Sequence, residues 1–130
     1  MQRESPSAAA VNHRGGWRLA LRDLYSAQRA LERQSDDCFV FAYRALEDLA
    51  YAVSTTSSKS WPALHAHLQT TEAKFRRRVE PLRLARNAAA HGDESDPELA
   101  NARAHRADRF RLSRRIVREA LGHEPAFLYP

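Results

Sequence analysis

The stretch FVFAYRALEDLAYAV, Phe39–Val53, is apolar around much of the circumference it would have as a helix. Phe39, Val40, Phe41, Ala42, Tyr43, Leu46, Leu49, Ala50 and Val53 supply that surface. A helix of this kind belongs at the centre of a bundle, with neighbours on several sides. Ser35 or Asp36 stands where an N-cap would start it.

Helical patterning continues outward in both directions. Upstream, a first helix is predicted from Trp17 to Arg33, with Trp17, Leu21, Leu24, Tyr25, Gln28 and Leu31 as its stripe. Met1 to Gly16 lacks the apolar centre of a signal peptide and reads as a frayed polar tail. Downstream, Ser54–Ser60 is a Ser/Thr loop. Ser60 with Pro62 starts a third helix, whose inner face is Leu64, Leu68, Thr71, Phe75 and Val79. Pro81 opens or kinks a fourth, carrying Leu82, Ala85, Ala88 and Ala89, and Gly92 ends it. Asp96 and Pro97 begin a fifth, with Leu99, Ala102, Phe110, Ser113, Ile116, Val117 and Leu121 inside. Ala126–Tyr129 is expected to fold back as a short apolar tail. No stretch alternates as a strand would. The expectation is an all-α bundle of four to five helices, one domain over 17–130 after a flexible tail over 1–16.

Composition narrows the partners. The net charge of +5 and pI near 10 favour an anionic partner, nucleic acid first. Arg- and Ala-rich coding would give the same bias without that meaning. Cys38 is the one cysteine, so neither an internal disulfide nor a cysteine zinc site is expected. No run approaches the roughly 18 apolar residues of a membrane span, and a cytoplasmic protein is the simplest reading. Arg76, Arg77 and Arg78 form one basic cluster, and Arg111, Arg114 and Arg115 belong to another on the fifth helix. Each is either a solvated face or a track for RNA phosphates. Aromatic residues interleave thinly with these clusters, so base stacking is not indicated there.

One segment stands apart: Arg86-Asn87-Ala88-Ala89-Ala90-His91-Gly92. Arg-x4-His spacing alone says little in so arginine-rich a chain, since Arg118 and His123 repeat it. The context of the first copy differs. Asn87 follows the arginine, alanines fill the gap, and Gly92 ends the helix at once. Asn87 and His91 are four apart and share a face, with Arg86 beside it. In the second copy Glu119 would repel phosphate, and His123 lies beyond Gly122. His65 and His67 splay across a helix and make poor metal ligands. Glu47 and Asp48 follow Arg44 at ion-pair spacing.

With this motif on a late helix of a small bundle and one long helix after it, the chain resembles the HEPN superfamily (higher eukaryotes and prokaryotes nucleotide-binding). The likeness spans about Trp17 to Leu121 in helix order and rests on Arg86, Asn87, His91 and Gly92. It implies a HEPN-type bundle that dimerises so that two motifs face one cleft. It also implies ribonuclease activity, often as a toxin in a toxin–antitoxin or anti-phage system. Some HEPN toxins carry a tyrosine two residues after the histidine, which a partner nucleotidyltransferase modifies. Asp93 stands there in this chain, which argues against that mode of neutralisation.

The residues themselves suit RNA cleavage by the 2′-hydroxyl. His91 can serve as acid or base near neutral pH. Arg86 can hold phosphate oxygens and offset the charge that develops on phosphorus. Asn87 can bind phosphate or hold the His91 tautomer. Each chain supplies one well-placed histidine, so a homodimer supplies two. No metal or other cofactor is called for. The expected partners are RNA, a second copy of the chain and a cognate antitoxin or other regulatory protein, with no membrane. The alternative is a non-catalytic HEPN-like module that binds nucleotide, RNA or protein.

Overall fold

The computed structural model describes residues 6–122. These form an all-helical bundle: α1 (Pro6–Glu32), α2 (Asp37–Ala52), α3 (Trp61–His67), α4 (Glu72–His91), α5 (Pro97–Ala104) and α6 (Arg106–Gly122). The count is six, one more than the upper expectation. His123 and the Ala126–Tyr129 tail lie outside the described residues. No described helix is long and apolar enough to cross a membrane.

The central helix is where its composition puts it. α2 packs against α1, α4 and α6, with Phe39, Leu46 and Leu49 fully buried. Ser113 of α6 donates a buried hydrogen bond of 2.7 Å to the Ala42 carbonyl, tying those two helices together. Ser35, not Asp36, serves the α2 N-terminus, because its Oγ accepts from the Asp37 amide. Asp36 is drawn instead to Arg103 and Arg106, 67 and 70 residues away.

α1 departs from its expected face. Trp17, Ala20, Asp23, Ala27 and Ala30 are buried, whereas Leu21 and Tyr25 are 46% and 60% exposed. Gln28 is exposed too. The cause is close approach to α2. A Cβ added at Gly16 would lie 2.5 Å from the Ala52 Cβ and 2.8 Å from its Cα. Small residues at the crossing permit that distance, and Ala20, Ala27 and Ala30 face inward together with Trp17 while Leu21 is turned out. The helix also begins earlier than expected, since residues 6–16 continue it upstream of Trp17.

The third and fourth helices are divided elsewhere than expected. α3 stops at His67, and Gln69 takes a positive φ of 58°. Thr71 then caps α4 by accepting a hydrogen bond from the Lys74 amide, so Phe75 and Val79 belong to α4. Pro81 lies inside α4 and does not open it. A proline there deprives the Arg77 carbonyl of its usual donor, a local cost of about 3 kcal/mol. Phe75, Val79, Leu82, Ala85 and Ala88 are buried on both sides of it, and that continuous packing keeps the helix intact. The expected fifth helix is two helices, broken at His105 (φ −126°, ψ 30°). Two terminal signals do act as read. Gly92 adopts the left-handed conformation and donates to the Ala88 carbonyl, and Asp96 accepts from the Glu98 amide ahead of α5.

Candidate functional site

The motif occupies the last turn and a half of α4. Ala85 and Ala88 are buried against the bundle, which fixes the rotation of the helix. Asn87 is half-buried and His91 is exposed at the helix end. They follow one another on one side of α4, and the helix stops immediately beyond them at Gly92.

Arg86 faces another way. At about 100° per residue it lies about 140° around the helix from His91. Its guanidinium carbon sits 4.4 Å from the centre of the Tyr43 ring on α2, a cation–π contact. Its Nε is buried without a hydrogen-bond partner. Among the described residues Arg86 has no carboxylate partner, and it is half-buried with its guanidinium against the Tyr43 ring. One chain therefore aims Arg86 and His91 in different directions, and no hydrogen bond joins Arg86, Asn87 and His91 among the described residues.

The turn after the motif is rigidly built. Asp93 accepts from the Ser95 amide and hydroxyl at 2.9 and 2.6 Å, which lowers its carboxyl below the usual range. Glu94 is held by both terminal nitrogens of Arg103, at 2.5 and 2.9 Å. The Arg103 guanidinium also bonds Asp36, and together with Arg106 it holds that carboxyl below its ordinary value. These pairs keep the acidic turn from presenting bare carboxylates next to His91. Arg103 and Arg106, on either side of the break at His105, converge on Asp36.

The six arginines of the two basic clusters have different surroundings. Arg76 pairs with Glu72 at 3.2 Å, Arg78 with Glu119, and Arg111 with Asp108 at 3.3 Å. Arg114 lies over the Phe110 ring, 5.5 Å from its centre. Arg77 and Arg115 are exposed, with no carboxylate partner among the described residues. Arg76, Arg77 and Arg109 border a shallow groove of about 470 Å³ along α4, opposite Glu98 and Asn101 of α5.

His67 packs its ring against Trp17 and donates from Nε2 to the Ala120 carbonyl at 2.9 Å, whereas His65 faces Phe75. The two diverge as the spacing implied. Among the described residues Arg44 pairs with neither Glu47 nor Asp48: Glu47 pairs with Lys59, and Arg44 lies over the Phe41 ring, 5.5 Å from its centre. Burial, and then the adjoining Asp23 carboxyl, raise the Asp48 carboxyl to about 8. Asp23 is itself 5% exposed, and no sequence pattern marked it.

Sequence reasoning also missed Tyr43, Trp61 and Arg83 as neighbours of the motif. Arg83 precedes Arg86 by three residues on α4, which is the one local signal for its place. Trp61 and Tyr43 are brought there only by the packing of α2 and α3. Comparison with family models, curated proteins and solved structures finds no match to this chain.

Proposed function

We propose that this protein is a metal-independent endoribonuclease whose site is the Arg86–Asn87–His91 segment, shared between two copies of the chain. The observation that carries the reading is an exposed histidine at a helix end, one turn beyond an asparagine, with an arginine in the same two turns that has no carboxylate partner among the described residues. A base takes the proton of an RNA 2′-hydroxyl as its oxygen bonds to phosphorus. Arginine stabilises the charge gathering on the phosphorane oxygens. An acid then protonates the departing 5′-oxygen, leaving a 2′,3′-cyclic phosphate and a 5′-hydroxyl. With Arg86 and His91 turned apart in one chain, a two-fold axis near the α4 end supplies both groups, and both histidines, to one phosphate. In a cell such an enzyme acts as a toxin or phage-defence nuclease and requires a neutralising protein partner.

The experiment is RNA incubated with purified protein in EDTA, followed by the same assay on His91→Ala. Cleavage to cyclic-phosphate ends is expected from the parent and a loss of at least 100-fold from the variant, with helicity and melting temperature unchanged. Full cleavage by His91→Ala rules the assignment out, and strict dependence on added magnesium or manganese points to other chemistry.

One observation favours a second reading. The Arg86 guanidinium already rests on Tyr43. In a non-catalytic module that binds nucleotide, RNA or protein, this arginine would serve as a helix-packing residue with one face left for a ligand. RNA or nucleotide binding without any cleavage, in parent and His91→Ala alike, is the result that selects it.

A further inference from the structure

A second recess lies beside the motif, a cleft of about 560 Å³ between α3 and α4. That volume is within the range of small-molecule sites. Its walls are aromatic: Tyr43 and Trp61 have ring centres 5.9 Å apart, and Trp61 and Phe75 6.1 Å. The rings are tilted by 50° and 38°, so no two stack in parallel. Tyr43 and Phe75 are buried, whereas Trp61 is half-buried. His65 lines the cleft too, and its Nδ1 is buried without a hydrogen-bond partner.

Charge selects the occupant. The charged residues lining the cleft are Arg76, Arg83, Glu72 and Glu80, and they cancel, while Lys59, whose ammonium lies 5.6 Å from the centre of the Trp61 ring, is itself paired with Glu47. Arg76 pairs with Glu72, and Arg83 donates to Glu80 from Nε at 2.9 Å. A neutral lining does not attract an ion. It does offer donors and acceptors to the edge of a planar polar ring, with Trp61 to receive its face. The unbalanced charge sits next door. Arg86 lies on the Tyr43 ring, and Tyr43 is also a wall of the cleft. A neutral polar ring in the cleft and an anion on Arg86 are the two halves of a nucleotide.

We infer that the Tyr43–Trp61–Phe75 cleft is a nucleobase subsite, taking the base of a ribonucleotide whose phosphate lies on Arg86. The inference rests on the ribonuclease reading only for the source of the nucleotide, since the cleft binds a base whether or not the phosphate is cleaved. A base held there sets which nucleotide flanks the scissile bond.

The test uses the full chain and two-dimensional NMR of its indole N–H groups. Trp61 borders the cleft, and Trp17, 2% exposed and packed on His67, is a built-in control. The probes are adenosine 5′-monophosphate, adenosine, ribose 5-phosphate and N-acetylphenylalaninamide. The nucleotide should shift Trp61 and not Trp17, with adenosine weaker and ribose 5-phosphate without effect on Trp61. Trp61→Leu should weaken nucleotide binding on the order of tenfold, the loss of one base–aromatic stack. Arg83→Ala, at a half-exposed position on the cleft wall, should weaken it while leaving the melting temperature unchanged. In RNA cleavage the same variants should raise KM more than they lower kcat. A Trp61 signal unmoved by millimolar nucleotide overturns the inference. So does equal binding of ribose 5-phosphate, or of N-acetylphenylalaninamide, the latter marking a pocket for an apolar side chain. Cleavage without nucleotide binding removes the subsite alone. Nucleotide binding without cleavage removes the catalytic reading and leaves the subsite standing.

Discussion

At the residue scale, the least expected group is Asp48. Its carboxyl lies on α2 beside buried Asp23 of α1, with Arg44 and Glu47 the other charges that act on it. Burial favours the neutral acid, and a second carboxyl at hand favours it further. The folded protein therefore keeps a proton that the unfolded chain releases near the usual carboxylate value of about 4. The stability from this proton is fully present below that value. It declines as pH rises and is gone above about 8. Asp48→Asn, which mimics the protonated acid, should flatten stability between pH 5 and 8 and raise the melting temperature most at the alkaline end. Urea denaturation of both proteins at several pH values is the check. Equal pH slopes in the two proteins would mean that Asp48 titrates normally.

At the element scale, the α1–α2 contact depends on missing side-chain volume. Gly16 meets the Ala52 backbone and Cβ at distances no methyl group tolerates. Gly16→Ala raises intrinsic helix propensity by up to about 1 kcal/mol. Overpacking against a neighbouring helix costs typically 1–3 kcal/mol. The second effect wins because the obstruction is backbone as well as a methyl group. The melting temperature should fall by several degrees, and an unchanged or higher value would show that α1 moves aside freely. The same contact explains why Leu21 and Tyr25 face solvent although they continue an apolar pattern. The rotation of α1 turns Gly16, Ala20, Ala27 and Ala30 inward beside Trp17, and these small residues allow the short distance to α2.

Two expectations belong to the whole molecule. The first concerns the basic surface. Arg77 and Arg115 have no carboxylate partner among the described residues, whereas Arg78 and Arg111 are paired. Replacing Arg77 and Arg115 together by Ala should reduce the salt slope of RNA binding by about two, one per lost phosphate contact. Replacing Arg78 and Arg111 should reduce it less. If both pairs of variants keep the parent slope, the arginines are a solvated face. The second concerns assembly. Arg86 and His91 diverge within one chain, so the proposed chemistry needs two copies. Light scattering at assay concentration should give twice the mass of 14.8 kDa. A monomer that cleaves at full rate would exclude a composite site. Mixing Arg86→Ala with His91→Ala restores an intact arginine and an intact histidine in the heterodimer, and partial recovery of activity is the expected sign.

Much of this molecule is legible in the order of its residues, because local signals act over three or four positions. The apolar circumference of Phe39–Val53, the Gly92 stop, the Asp96-Pro97 start and the helical class all depend on spacing and on the chemistry of caps. The place of the Arg86–Asn87–His91 segment in the last turns of a helix that ends at Gly92 is legible for the same reason. The remainder needed the tertiary structure. Pro81 reads as a boundary locally, and only the core on both sides of it makes α4 continuous. The apolar pattern runs past Thr71, whose cap outweighs it because Gln69 has already turned the chain. Asp36 reads as a cap, yet two arginines some 70 positions away provide stronger partners. The angle of about 140° between Arg86 and His91 follows from their spacing, but which neighbour each meets, Tyr43 for Arg86 and solvent for His91, depends on the rotation of α4 about its own axis. That rotation is decided by which side of α4 the rest of the bundle buries, a sum over distant contacts that no local window contains.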